Sequence, residues 1–318
     1  MNYKFKNIIL VGYSKHAKNK IIPAITKLKL KIICIVSSQN IKNTTIPVLK
    51  SINNIEKINF NKEDTIIFLC TPPKVHYKQI KFLFYNKYNI YVEKPAFIRE
   101  KNIDIFINKN KTIIVENFMY QHTKIYNYFL KFWKQNTNEI FKIEMNFIIP
   151  ELPKNTFRDN DDYYNSYIFD IGCYPISLLS KLNLKLQKIK YEISLDKDKY
   201  KNITKILFNS KKIMYEINIG VNQSYQNNVI LHYDKFKSIK FDYFFYGPDK
   251  IKKIYFSKNN KINKILKIND LNGFVEILKI KRSIWKKNQN NRLRKMRDVV
   301  YSLNKISKQY INLNNVKS

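Results

Sequence analysis

The chain has 318 residues, of which 44% are apolar and 26% charged, with a formal net charge of +35. That length leaves room for two domains with a sizeable core, and that apolar share excludes wholesale disorder. Such a charge would suit a polyanion partner, but it comes with abundant Asn, Ile, Tyr and Phe and only 5 Gly and 9 Pro. This is the residue set of A/T-rich codons. The lysines are also spread along the chain rather than gathered in a tail, so the charge points to neither nucleic acid nor membrane and serves at most to steer anionic cofactors and phosphorylated substrates.

In chain order, NIILVG (7–12) is a buried-strand run closed by glycine, and HAKNKIIPAITKLKL has helical spacing with Pro23 as an irregularity. KIICIVSS (31–38) and DTIIFLCTPP (64–73) are further strands, the latter stopped by two prolines. VHYKQIKFLFYNK predicts a helix, NIYVEKP a strand, and KTIIVENF (111–118) another. Continuously apolar strands alternating with helices predict a parallel sheet covered on both faces and joined by right-handed crossovers, a doubly wound Rossmann α/β domain over 1–118. Beyond it the texture changes. HTKIYNYFLKFWKQN predicts a helix, EIFKIEMNFIIP a long strand, and YIFDIGCYPISLLSKL a helix after an irregular polar stretch. Alternating runs such as KKIMYEINIGV and KSIKFDYFFYG predict a large, open, mostly antiparallel sheet, so 119–318 reads as an α+β domain closed by a helix at about 288–307.

Cys34, Cys70 and Cys173 show no metal-ligand spacing, and an odd count without short-range pairing points to a reducing compartment. The first apolar run is too short for a signal-peptide core, and no stretch approaches a membrane span. A cytoplasmic protein is expected.

Five stretches carry candidate chemistry. Gly12-Tyr13-Ser14-Lys15-His16-Ala17 lies between the first strand and helix. Gly12 and Ala17 suit a dinucleotide turn, whereas Ser14 takes the site of the middle glycine; alone, the stretch reads sooner as a generic strand-to-helix turn. At the second strand's end, Ser37, Ser38 and Gln39 with Lys42 nearby replace the carboxylate that holds the ribose hydroxyls in NAD sites, which favours NADP(H) over NAD(H). Thr71, Pro72 and His76 form a proline-shaped turn where open parallel sheets bind ligands. Glu93-Lys94-Pro95 ends another strand; proline restricts Lys94, and Glu93 is placed to orient it. A lysine in a partly buried cleft is a candidate proton donor, although most lysines here face solvent. In DIGCYPI, helical spacing puts Asp170 and Tyr174 on one face, which suits acid/base work as well as a cap and a packed ring.

Taken in order, the glycine turn, TPPKVH, VEKPAF, VENFMYQH and DIGCYPI resemble the Gfo/Idh/MocA oxidoreductase family over nearly the whole chain. EKP and D-x-G-x-Y carry most of that specificity. The resemblance implies a nicotinamide cofactor across the first domain, held by Gly12, Ser14, Lys15, Ala17, Ser37, Ser38, Thr71, Pro72, His76, Glu93, Lys94 and Pro95. It implies that Lys94 is the active-site lysine and that Asp170 and Tyr174 complete the site, tyrosine standing where many members have histidine. It also implies a homodimer or higher homo-oligomer through the open sheet. VENFMYQHTKIYNYF, FIIPELPKNTFR and GVNQSYQNNVILHY further resemble the nucleotide-sugar and polysaccharide-biosynthesis subgroup and dimeric dihydrodiol dehydrogenase-like members. That likeness puts Arg158 with Lys94, Asp170 and Tyr174 at the substrate, where a guanidinium grips phosphate or carboxylate as lysine does not.

The expected activity is hydride transfer between nicotinamide and a carbonyl or carbinol of a sugar or nucleotide-sugar. An ammonium and a phenol from separate domains would serve one ring. Ser14 at the glycine site leaves open a catalytically silent relative that binds cofactor or sugar phosphate.

Overall fold

The computed structural model describes residues 5–42, 44–109, 112–150, 166–198, 201–221, 224–247 and 251–315. They divide into two compact units, 1–119 with 272–297, and 120–271 with 298–318. The sequence places everything after 118 in one second domain. The structure instead returns Asn272–Arg297 to the first unit.

The first unit is built on strands that are apolar on both faces: β1 (Asn7–Val11), β2 (Lys31–Val36), β3 (Val48–Leu49), β4 (Thr65–Leu69), β5 (Asn89–Val92) and β6 (Ile114–Glu116). Ile8, Ile9, Leu10, Ile66, Ile67, Leu69, Ile90 and Val92 are wholly buried, as a sheet covered on both sides requires. The sheet order is β3-β2-β1-β4-β5-β6, with every pair parallel. This is the dinucleotide-fold order, and its ligand crevice lies at the carboxyl ends where the order reverses, between β1 and β4. The first helix opens with a π turn (Ala17–Ile21) before α1 (Ile22–Lys27). Pro23 accounts for this: it has no N–H for the carbonyl of Asn19, and its ring crowds that carbonyl. α2 (Pro73–Tyr85) buries His76, Ile80, Leu83 and Phe84 along one stripe. A short helix, α3 (Lys101–Asp104), precedes β6.

In the second unit, α4 (Lys124–Asn136) precedes β7 (Lys142–Ile148), followed by α5 (Tyr167–Asp170) and α6 (Cys173–Lys181). Seven more strands follow: β8 (Glu192–Asp198), β9 (Lys201–Ser210), β10 (Ile213–Val221), β11 (Gln226–His232), β12 (Lys237–Asp242), β13 (Ile251–Lys258) and β14 (Lys261–Asn269). They form an eight-stranded sheet, β14-β13-β12-β11-β7-β10-β9-β8, antiparallel except where β7 meets β10. One face buries Ile143, Met145, Ile217, Ile219, Val229, Leu231, Phe241 and Ile254. The other carries a polar lattice. Lys142 and Lys205 hold Glu216 at 2.9 and 3.1 Å. Asn218 Nδ2 donates to Asn146 Oδ1 (2.8 Å), and Asn146 Nδ2 donates to Asn228 Oδ1 (3.0 Å). Asp270, just after β14, accepts from the backbone of Lys124 at the start of α4 (2.6 Å) and pairs with buried Lys252 (2.9 Å).

Three helices close the chain. α7 (Gly273–Lys279) is capped by Asn272, whose side chain accepts from Phe274 N and Val275 N. A Cβ on Gly273 would lie 2.0 Å from the Met119 carbonyl oxygen, so only glycine fits there. α8 (Arg282–Lys287) sets Trp285 edge-on to Tyr91, with the Arg292 guanidinium 4.7 Å from the indole centroid. α9 runs Gln289–Asn315, farther than its basic sequence suggests. Gln289 accepts from Ile114 N on edge strand β6 (3.0 Å) and donates to Thr112 O, satisfying backbone that the sheet leaves open. Among the described residues, no helix is long and apolar enough to cross a membrane.

Candidate active site

At the end of β1, Gly12 has φ +92° and donates its N–H to Val36 O (2.8 Å). A Cβ there would lie 2.8 Å from the Cys70 carbonyl, so the β1 turn and the end of β4 touch only because residue 12 is glycine. Ser14 and Lys15 are exposed and Ala17 is fully buried. Ser14 Oγ accepts from Ala17 N (3.2 Å), so the serine in the middle-glycine position caps the first helical turn.

At the end of β2, Ser37 is buried, donates its N–H to Leu49 O (2.9 Å) and accepts from Gln39 N through Oγ (3.1 Å). Ser38 and Lys42 are exposed. Pairing with β3 brings in a residue that lies outside the sequence motifs. Lys50 Nζ lies 2.6 Å from Asn40 Oδ1, 3.4 Å from Gln39 O and 3.5 Å from Ser38 O. These oxygens are all neutral, so they hold the ammonium without cancelling its charge.

The ends of β4, β5 and β6 form one cluster. Pro72 caps α2 with extended backbone, and Thr71 Oγ1 donates to Gln79 Oε1 (2.7 Å). His76 is fully buried, Nε2 lying 2.7 Å from Thr71 O and Nδ1 3.1 Å from Pro95 O. Burial lowers its pKa against the pull of those carbonyls, and a neutral ring donates to only one of the two. The Lys94–Pro95 peptide is cis. Ala96 N donates to Glu116 Oε1 (2.8 Å). The Glu93 side chain keeps only 12% exposure. Asn117 Nδ2 donates to Glu93 Oε1 (2.6 Å), and His16 Nε2 lies 3.4 Å from the same oxygen. Burial is the largest single influence on Glu93 and favours the neutral acid. The Asn117 hydrogen bond and the nearby His16 imidazole, with Lys94, outweigh it and hold the carboxyl below its ordinary range. Lys94 is half-buried. The neighbouring Cys70 thiol is pushed well up, by burial and then by Glu93.

The second unit carries Asp170 and Tyr174, both buried. The expected single helix through them is broken: α5 ends at Asp170 and α6 begins at Cys173. A Cβ on Gly172 would lie 2.4 Å from Ile168 O and 2.9 Å from the side chain of Ile219, so this turn packs too tightly for any other residue. Pro175 has no N–H to return to Ile171 O, which instead accepts from Tyr174 N (3.1 Å). The Tyr174 ring packs edge-on to Phe147 (5.1 Å), with Tyr120 at 5.9 Å, and its carbonyl accepts from Ser177 Oγ (2.8 Å). Burial, then the charge of Lys181, lowers the pKa of His122 to about 4. Arg158 lies outside the described residues.

Thus Gly12, Thr71, His76, Glu93, Lys94 and Pro95 share one carboxyl edge, with Ser37 and Ser38 at the neighbouring strand end. The sequence reading did not single out His16, Lys50 or Asn117 as site residues. Two of them left a signal: His16 lies within the quoted Gly12–Ala17 turn, and Asn117 is a polar amide near the end of the apolar run IIVENF.

No protein-family model and no curated protein matches the chain. Solved structures do, at the level of the fold. A 3-ketoreductase from Actinomadura kijaniata, KijD10, solved with NADP and TDP-benzene, superposes with a TM-score of 0.76 at 14% identity, covering 93% of this chain and 95% of that one. A dehydrogenase from Chromobacterium violaceum gives 0.75 at 11% identity, covering 99% and 98%.

Proposed function

We propose that this chain is an NAD(P)-dependent oxidoreductase acting on a carbonyl or carbinol of a sugar or nucleotide-linked sugar, in surface-polysaccharide or deoxysugar biosynthesis. The observation that carries this reading is Glu93: a largely buried, ionised carboxylate beside Lys94 at the carboxyl edge of a sheet in dinucleotide-fold order. The chain's residues fit the cofactor. Any side chain larger than hydrogen at Gly12 would fill the turn, and Asn117 Oδ1 is a buried acceptor that takes no hydrogen bond from the described residues, a match for a carboxamide N–H. Lys50 supports NADP(H) over NAD(H), because its uncancelled charge stands at the strand end where a ribose 2′-phosphate binds. The fold likeness to a ketoreductase solved with NADP and a TDP compound supports the substrate class.

A bound nicotinamide supplies or takes up the hydride. Lys94 polarises the substrate oxygen, Tyr174 exchanges a proton with it, and Asp170 holds the substrate's hydroxyls, so the protein's part is placement and charge. Arg158 is assigned to a phosphate or carboxylate of the substrate. The polar face of the eight-stranded sheet is assigned to a homodimer, which light scattering on the purified protein tests.

The deciding assay follows loss of NADPH and NADH absorbance against UDP- and dTDP-linked keto-sugars. Turnover with either cofactor is expected; absence of both binding and turnover sinks the reading. Ser14, whose hydroxyl caps the helix where a glycine would admit pyrophosphate, favours one competitor, a silent cofactor-binding relative. Tight NADPH binding without turnover across the panel selects it.

A further inference from the structure

Beside the proposed lysine stands a carboxylate with two partners that belong to neither EKP nor the glycine positions of the first turn. β5 and β6 pair in parallel with Val92 opposite Glu116, so Glu93 and Asn117 leave the sheet side by side. Their backbones are fixed alike, Glu93 N donating to Leu69 O (2.9 Å) and Asn117 N to Val92 O (2.8 Å). Asn117 is 2% exposed, and facing a carboxylate only its NH₂ can point inward. His16 reaches the same Glu93 oxygen from the first turn of the first helix. Its ring is set edge-on to Phe274 of α7, 5.7 Å away.

We infer that His16 and Asn117 are positioning residues for Lys94, acting through Glu93: they hold a buried carboxylate as an anion, and that anion retains the lysine as an ammonium aimed at the reacting oxygen. The assignment of Lys94 to the reaction rests on the oxidoreductase reading. The link from His16 and Asn117 to Lys94 does not.

Compensation holds this carboxylate in place. A carboxylate this far from water is neutral unless donors and opposite charge replace its hydration. The groups around Glu93 come from five segments: His16 from the first helix, Cys70 from the end of β4, His76 from α2, Lys94 from its own loop and Asn117 from the end of β6. Burial keeps Cys70 a thiol and His76 a neutral ring, so neither supplies charge to Glu93. The anion therefore depends on His16, Asn117 and Lys94. Removing either of the first two frees the carboxylate to turn away from the third.

The test reads Lys94 directly in the full-length protein, without substrate. Trace labelling with acetic anhydride at neutral pH, followed by peptide mass spectrometry, gives the acetylation rate of Lys94 relative to Lys101 and Lys134 in the same sample. Glu93→Gln is expected to raise that ratio about tenfold, the effect of losing one neighbouring opposite charge, and Asn117→Leu and His16→Ala to raise it about threefold, because they loosen that charge without removing it. His16→Gln keeps a donor and is expected to return most of the way to wild type. A purely structural role would move neither Lys94 alone nor the conservative variant. Ratios for Asn117→Leu and His16→Ala within about twofold of wild type, whether or not Glu93→Gln responds, overturn the inference. If Asn117→Leu does not fold, Asn117→Ser, which withdraws the donor, carries the same expectation. Because no turnover is measured, failure of the oxidoreductase reading leaves this result standing, and the converse holds.

Discussion

Glu93 and Glu144 are each held by an amide, an imidazole and a lysine, yet they belong to different kinds of site. Glu144 sits within β7, and its partners follow from the pleat: Lys142 two residues before, Asn146 two after, and His232 from the adjacent strand β11. Hydrogen bonding from His232, with help from Asn146 and Lys142, lowers its pKa to about 2 despite burial. Glu93 stands beyond a strand end, and its partners arrive from separate segments. Mid-sheet charges close into a lattice in which Lys142 and Lys205 both answer Glu216. Charges beyond the ends of parallel strands lie where open sheets take ligands. Composition does not separate the two sites; position relative to the strand ends does.

The largest expected effect belongs to neither. Asp270 gives one oxygen to the start of α4 and the other to buried Lys252. Asp270→Ala takes the carboxylate away from a buried ammonium and leaves the Lys124 and Ile125 N–H groups at the start of α4 without their acceptor, an expected loss of about 3–5 kcal/mol in urea unfolding. A loss under about 1 kcal/mol would mean that Lys252 finds water or another partner, and that buried charges in this unit are more forgiving than the lattice suggests.

Two lysines then test the comparison itself. Lys94→Ala is expected to lower turnover by at least about 10²-fold, the scale of an acid/base group, while NADPH still binds. Lys142→Ala, taken from the lattice, is expected to leave turnover within about twofold. Equal losses in both would erase the distinction drawn between strand ends and mid-sheet.

Most of the fold was legible in the sequence because a parallel sheet writes itself as continuous apolar runs. An antiparallel sheet with one polar face writes itself as alternation. Gly12 and Lys94 were legible because each ends such a run beside a glycine or a proline. Asp170 and Tyr174 were located, but the break between them was not, since spacing reports periodicity and not the close approach of Ile168 and Ile219 to Gly172. Lys50 was invisible: β3 is two residues long, and no periodicity marks a strand that short. The return of Asn272–Arg297 to the first unit was hidden for a related reason. It depends on Gln289 answering an edge strand far away in sequence, a contact no local pattern records.

Glu144 gives the pH dependence a sign. Its folded pKa lies below its unfolded one, so its stabilisation is fully present above about 4.5 and is lost as pH falls toward about 2. The full shift corresponds to about 3 kcal/mol over that window. Unfolding of wild type and Glu144→Gln, compared between about pH 5 and pH 3, should show the difference between them shrinking with acid. A constant gap would assign the low pKa to both folded and unfolded chains.

The smallest effect is the most selective. Lys50 reaches the β2 turn only because β3 pairs Leu49 with Val36, and among the described residues it meets Ser38, Gln39 and Asn40 there and no carboxylate. A phosphate on the ribose would gain a charge-assisted hydrogen bond that a hydroxyl would not. Lys50→Gln keeps length and donors but removes the charge, so the Kd for NADPH should rise about tenfold, equivalent to about 1.4 kcal/mol, while that for NADH stays within about twofold. Fluorescence titration of both cofactors into both proteins reads the ratio. If both constants rise together, Lys50 shapes the β2 turn rather than reading the phosphate. If neither moves, cofactor choice belongs to Ser37, Ser38 and Lys42, and the lysine revealed by β3 is a surface charge like those that surround it.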